Sequence, residues 1–294
     1  MTENKTYKIR IYSSFSNPKI YKDIYERLYQ THLLDFYGKD KKVYITNDND
    51  FTHVFIFNTA TPSLPAHIPK ENVIGLAFEP NVYLNLTSKF IEYAKKNIGK
   101  YFIGDKLNLP DPFYEHHGYL LHVAPLKPIP DKTKLISIIL SEKRQQVGHQ
   151  YRHTLVERIL KDGLPVDIYG RGCRFYRRYI ESGNQRIKGN FEKYEPYEQY
   201  QFHITIENVR LNHYFSEKIS NALLCGSTPL YLGCKKIDSY FPEQVIHLTG
   251  DASKDILLIR KIIKEPEKFR KEIDVQKSLE TISILHNIDK VFSK

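Results

Sequence analysis

Residues Phe202–Gly233 read FHITIENVRLNHYFSEKISNALLCGSTPLYLG, and the order of residue types within them decides the fold. Phe202–Ile206 alternates and is rich in β-branched and aromatic residues, which predicts a buried strand delivering Glu207 and Asn208 to its carboxyl end. Ligands of open α/β sheets bind beyond such ends. After a polar loop, Ser216 stands where it can cap a helix reaching about Cys225, with apolar Ile219, Ala222 and Leu223 at helical spacing and Gly226 as the stop. Pro229–Leu232 is the next strand. Glu217 and Lys218 fall in the first turn of the helix. Backbone N–H groups there attract phosphate, Lys218 adds a full positive charge, and the Glu217 carboxylate can accept two hydrogen bonds from ribose hydroxyls. The segment has the layout of a site for a nucleotide diphosphate.

The rest of the chain fits around this unit. At 294 residues, 41% of them hydrophobic and with 22 Tyr and 16 Phe, it can build two ordinary domains. No apolar run approaches the roughly 18 residues of a membrane span. The start, MTENKTYKIRIYSSF, lacks the basic and apolar blocks of a signal peptide, and Cys173, Cys225 and Cys234 fit no zinc spacing. A cytoplasmic protein with reduced thiols is expected. The net charge of +10 permits contact with phosphates of any kind: a sugar nucleotide, nucleic acid, or a lipid surface met peripherally. The densest basic cluster, RGCRFYRR at Arg171–Arg178, interleaves Phe175 and Tyr176, but no nucleic-acid module accompanies it and no nucleic-acid partner is expected.

Strand and helix patterns alternate through the first half: strands at Tyr7–Tyr12, Lys42–Thr46, His53–Phe57, Val73–Phe78 and Lys100–Ile103, with helices at Asp23–Tyr37 and Lys89–Asn97. Such alternation predicts a parallel α/β sheet. The proline-spaced PLKPIP (Pro125–Pro130) breaks the pattern and reads as a linker. A second series follows, with strands at Leu135–Leu140, Val166–Tyr169, Phe202–Ile206, Pro229–Leu232 and Val245–Leu248. The fold class is therefore α/β, two Rossmann-like domains facing across a cleft, with boundaries at 1–124 (first domain), 125–133 (linker), 134–265 (nucleotide-sugar domain) and 266–294 (C-terminal helical segment). In that last segment an amphipathic helix is expected over Glu272–Ile288, packed on its own domain or returning to the first.

IENVRLNHYFSEK matches, with the same spacing, the F-E-N-x5-Y-x-T-E-K signature of family 10 glycosyltransferases, the α1,3-fucosyltransferases, with Ser216 in place of Thr. Upstream, ISIILSEKRQQVGHQYRHTLVERILKDGLPVDIYGRG (Ile136–Gly172) resembles the family's strand, Arg-bearing helix and V-D-x-Y/F-G-R segment. The resemblance covers roughly the second half of the chain. It implies the GT-B architecture and an inverting, metal-independent transfer, most simply of L-fucose from GDP-fucose to a glycan hydroxyl, with no cofactor. It also implies donor-binding roles for Arg152, Glu207, Asn208, Tyr214, Glu217 and Lys218. Glu79, beyond the apolar Val73–Phe78 and before Pro80, matches the family's proposed general base, with Asp105 and Glu115 next in line. Another donor, such as UDP-xylose or a different GDP-sugar, and a non-catalytic carbohydrate- or phosphate-binding protein both stay open.

Two patterns imitate metal sites. Asp48-Asn49-Asp50 has a D-x-D spacing but sits in the hydrophilic TNDND, which reads as a turn. His149, His153 and Glu157 share a helix face without an HExxH arrangement, and no metal is expected.

Overall fold

The computed structural model describes residues 6–15, 17–31, 35–119 and 123–293. The chain divides into two compact units, one of Met1–Ala124, Leu211–Tyr214 and Ile282–Lys294, the other of Pro125–Arg210 and Phe215–Thr281.

The first unit runs β1 (Tyr7–Ser13), α1 (Pro18–Thr31), β2 (Val43–Ile45), β3 (His53–Phe57), β4 (Val73–Leu76), α2 (Asn81–Leu84), α3 (Ser88–Asn97), β5 (Lys100–Ile103) and β6 (Phe113–Glu115). Its six strands are all parallel, in the order β2-β1-β3-β4-β5-β6. β3 and β4 are buried at every position, as central strands covered on both faces must be. One face carries Tyr21 and Tyr25 of α1 against Ile9, Ile11, Phe55 and Phe57; the other carries Phe90 and Ala94 of α3 against Val54, Ile56 and Tyr101.

The second unit runs β7 (Lys134–Ile139), α4 (Val147–Lys161), β8 (Val166–Tyr169), α5 (Arg177–Glu181), β9 (Ile187–Gly189), β10 (Tyr200–Ile206), α6 (Glu217–Leu224), β11 (Thr228–Leu232), β12 (Ile246–His247), α7 (Ala252–Lys264) and α8 (Val275–Ile282). The strand order is β12-β11-β10-β7-β8-β9. Counted from the unit's own first strand this is 3-2-1-4-5-6, the dinucleotide-binding order, and it reverses between β7 and β10. The sheet's core is Ile136, Ile138, Phe202, Ile204 and Leu230, with Leu155 and Ile159 of α4 and Ile256, Ile259 and Ile262 of α7 packed on it.

The expected strands and helices form within a few residues of their predicted limits, with two corrections. The first helix begins at Pro18, with Asn17 Oδ1 accepting from Lys19 N (2.9 Å), and by Tyr37 the chain has already turned to bridge Val43. Part of the predicted helix, residues 32–34, lies outside the described residues. The single C-terminal helix expected over Glu272–Ile288 is instead α8 and a separate α9 (Ile288–Val291), with Asn287 Nδ2 turned back onto Ser283 O (2.9 Å).

That break divides the segment 266–294. Residues up to Thr281 stay with the second unit, whereas Ile284, Leu285, Ile288, Val291 and Phe292 are buried in the core of the first, where the Phe292 ring lies 4.6 Å from His53 and 5.7 Å from Phe55. Tyr7 Oη donates to Asp289 Oδ1 (2.8 Å) and ties the same segment to β1. The terminal residues therefore complete a core begun at residue 7. Leu285→Ala, which empties a side chain 1% exposed, is expected to destabilise the protein by about 2–5 kcal/mol in urea unfolding.

Candidate functional site

The reversal of strand order places the loop after β7 and the amino end of α4 beside the carboxyl end of β10. Gly148 N donates to Asn208 O (3.0 Å), and a Cβ on Gly148 would lie 1.8 Å from Glu207 O, so only glycine allows this approach. A cavity of 360 Å³ opens here, lined by Val147, Gly148 and Tyr151 of α4, Glu207–Arg210, Leu232, Thr249 and Gly250.

Glu207 anchors the site. Its side chain has 0% exposure, its Oε1 accepts from Ser216 N (2.8 Å), and its Oε2 accepts from Ser216 Oγ (2.7 Å). Ser216 in turn caps α6, accepting from Lys218 N, and Cys225 and Gly226 (φ 72°) end the helix where the sequence predicts. The Lys218 ammonium donates to Ser216 Oγ (2.8 Å) and lies 3.5 Å from Glu207 Oε2 and 3.4 Å from Glu217 Oε1. Partial burial works against the Lys218 charge, but the two carboxylates more than offset it and hold its pKa above the ordinary lysine value. Glu217 keeps 56% of its side chain exposed. Glu207, by contrast, has both oxygens committed to the amino end of α6.

Arg152, on α4, is only 4% exposed. Its Nη2 donates to Asn208 Oδ1 (2.7 Å), its buried Nε has no hydrogen-bond partner, and among the described residues it makes no ion pair. Burial lowers its pKa, opposed by the charges of Glu207 and Glu217. A guanidinium withdrawn from water, hydrogen-bonded to one amide oxygen and with carboxylates near but not paired to it, keeps a positive charge only partly compensated.

His149 and His153 do not form a metal cluster with Glu157. His149 Nδ1 accepts from Gln146 N (3.2 Å) in the capping box of α4; His153 bonds Ser141 O (3.0 Å) and Tyr176 Oη (3.2 Å). Glu157 pairs with Arg178 (3.6 Å). In the TNDND loop, Asp50 pairs with Lys8 (2.7 Å) and Asn49 accepts from Arg10 (2.7 Å).

Tyr214 departs from the expected grouping. It belongs to the short piece Leu211–Tyr214 that clusters with the first unit, where its Cβ lies so close to Gly104 that a Cβ there would come within 2.7 Å. In the same piece Asn212 Nδ2 donates to Glu115 Oε1 (3.2 Å). The other five expected donor residues lie in the second unit. Glu79, in the first, is exposed on the loop after β4, ahead of Pro80. The loop is held by Asn58 Oδ1, which accepts from Phe78 N (2.9 Å), and by Gly118, where a Cβ would come within 2.3 Å of Ala77 O.

Asp255 is a positioning residue that the sequence reading passed over. Fully buried, it accepts from Thr249 N (2.8 Å), Gly250 N (3.0 Å) and Tyr151 Oη (2.5 Å), and so fixes one wall of the cavity. The available signal was Thr249-Gly250-Asp251 directly before an apolar-faced helix with an acid in its first turn.

Two parallel α/β units, the second in the dinucleotide-binding order with a cationic site at its switch point, define the GT-B class of glycosyltransferase fold. Residues 129–271 match the family model described as glycosyltransferase family 10 (fucosyltransferase) C-term, so the resemblance noted in the sequence is found again in the second unit. A stretch of 117 residues is 26% identical to a fucosyltransferase-like protein of Arabidopsis thaliana, covering 40% of this chain and 21% of that protein, so the match spans about a fifth of the relative. Crystal structures of an α1,3-fucosyltransferase share the fold. The one with GDP has a TM-score of 0.52 at 13% identity, covering 100% of this chain and 92% of that one. The one with GDP-fucose has a TM-score of 0.53 at 14% identity, covering 99% and 91%.

Burial and the charge of Arg152 lower the His149 pKa to about 4. A base whose folded pKa lies below its unfolded value of about 6.5 favours folding above that value and loses the contribution as pH falls. His149→Gln keeps a capping acceptor but cannot titrate. Urea unfolding at pH 7 and pH 4.5 is expected to show a smaller loss of stability for the variant, by on the order of 2 kcal/mol.

Proposed function

We propose that the protein is an inverting, metal-independent glycosyltransferase that moves L-fucose from GDP-fucose to a hydroxyl of a glycan acceptor. The observation that carries this reading is the buried, unpaired Arg152 beside the capped amino end of α6 and Lys218. Sugar transfer from a nucleotide diphosphate leaves growing negative charge on the departing phosphates, and two fixed cations with a helix terminus can neutralise it without a metal. The Arg152 guanidinium can meet phosphate oxygens in a bidentate manner, Lys218 supplies a point charge, and the exposed Glu217 carboxylate accepts from ribose hydroxyls. Asn208 orients Arg152, and Glu207 acts by fixing Ser216 and Lys218. Tyr214 takes its donor-binding role from the motif match. GDP-fucose as donor is supported by the family 10 domain and by the α1,3-fucosyltransferase structures with GDP and GDP-fucose.

Glu79 takes the acceptor proton as the hydroxyl oxygen attacks the anomeric carbon. The carbon–phosphate oxygen bond then breaks with inversion, and its electron pair leaves with GDP. Glu79 is an exposed carboxylate on a loop fixed by Asn58 and Gly118, which suits it to accept that proton.

Assayed with GDP-fucose and glycan acceptors in excess EDTA, the wild type is expected to turn over, while Arg152→Ala and Lys218→Ala each lose about 10²–10³ in kcat/KM, the scale of one charge contact in the transition state. Activity that needs added manganese, or two variants with wild-type kcat/KM, would falsify the charge assignment.

Glu79→Gln keeps shape and removes basicity, so kcat is expected to fall by about 10² or more with donor affinity unchanged. Unchanged turnover would remove Glu79 from the chemistry, and lost donor affinity would move it to the nucleotide site.

A further inference from the structure

The carboxyl end of β8 leads into a short helical stretch, Arg171–Tyr176, and then α5. Gly172, Cys173 and Tyr176 are buried, with Cys173 and Tyr176 in the core, and they hold the stretch firmly; Arg171, Arg174, Phe175, Arg177, Arg178 and Ile180 are exposed. Phe175 and Ile180 keep 43% and 46% of their surface in water. Arg144, exposed on the neighbouring loop, sets its guanidinium 4.3 Å from the Phe175 ring centre, and Arg174 sets its own at 5.1 Å. Among the described residues, two of these five arginines have acidic partners: Arg174 with Glu142 (3.3 Å) and Arg178 with Glu157 (3.6 Å). Both pairs are solvent-exposed and therefore weak. None of this belongs to the donor site.

We infer that this patch docks the protein on an anionic lipid bilayer surface, with the arginines meeting headgroup phosphates and Phe175 and Ile180 entering the boundary with the acyl chains. Two features select this partner. Guanidiniums interleaved with exposed apolar side chains match a surface whose charge lies just outside its hydrocarbon. Single-stranded nucleic acid, the other polyanion such a cluster suits, needs free aromatic faces for base stacking, and here the Phe175 ring is already engaged by two guanidiniums. The buried Cys173 and Tyr176 also fix the patch in place before any partner arrives, so docking orders little new backbone.

The test is co-sedimentation of the full chain with vesicles of phosphatidylcholine alone and of phosphatidylcholine with phosphatidylglycerol. Binding to the anionic vesicles only, weakening as salt rises, is expected. The triple variant Arg171→Ser, Arg177→Ser, Arg178→Ser should bind them more than about tenfold more weakly, from a cost per arginine near the surface of several-fold. Phe175→Ser with Ile180→Ser should weaken binding at high salt, where the apolar contribution remains. Circular dichroism melting checks that both variants keep the fold. Equal binding to both kinds of vesicle, or a triple variant that sediments like the wild type, overturns the inference. So does a labelled single-stranded oligonucleotide that binds the patch more tightly than the anionic vesicles at the same ionic strength.

Discussion

One buried carboxylate organises the second unit. Glu207 ends the strand next to the switch point, and its fully covered side chain spends both oxygens on Ser216 while facing the Lys218 ammonium. An ionised group so far from water is tolerable only when its lone pairs are answered, and here a backbone N–H, a hydroxyl and a cation answer them. The start of α6 is thereby tied to the end of β10, and everything cationic in the site takes its position from that tie. The backbone of the same dipeptide receives Gly148 of α4, and its Asn208 side chain receives Arg152. The strand β10 and the helices α4 and α6 meet on Glu207 and Asn208.

The surroundings keep this meeting point electropositive. His149, one turn before Arg152 on the same helix, is held neutral by burial and by its cationic neighbours, which prevents a further charge from piling up and leaves its Nδ1 free to cap the helix. Asp255 supplies the opposite service on the far wall, taking four hydrogen bonds from residues after β12 and in the first turns of α4. Arg152 and Lys218 supply the positive charge, Glu207 and Asp255 hold the framework, and the Glu217 carboxylate stays open to solvent.

Where the sequence succeeded, the signal was local. Ser216 before a charged first turn and Gly226 after the last apolar position mark the limits of α6, because capping and the left-handed turn are decided within a few residues. The alternation of strands and helices gave both parallel sheets for the same reason. The end of the chain was not legible in this way. Ile284, Leu285 and Ile288 carry a periodicity that suits one continuing helix, but α8 ends at Ile282 and residues 283–287 turn the chain into the first core, where these side chains cover β1 and β3. The site shows the same limit. The motif identified Glu207, Asn208, Glu217 and Lys218 together, yet no spacing rule distinguishes the carboxylate that ends up sealed under Ser216 from the one left open to solvent. Asp255 escaped for a related reason, since its partner Thr249 is chosen by tertiary approach.

Fastening both ends of the loop between Asn208 and Ser216 has an evolutionary side. Because the tie through Glu207 closes the loop at its base, the residues within it do not determine where Arg152 and Lys218 stand. Chain length there is cheap as well: doubling a flexible loop costs only about 0.6 kcal/mol of closure entropy. Val209–Leu211, partly open to solvent, can therefore drift in sequence and acquire new contacts while the charged framework beneath them stays fixed.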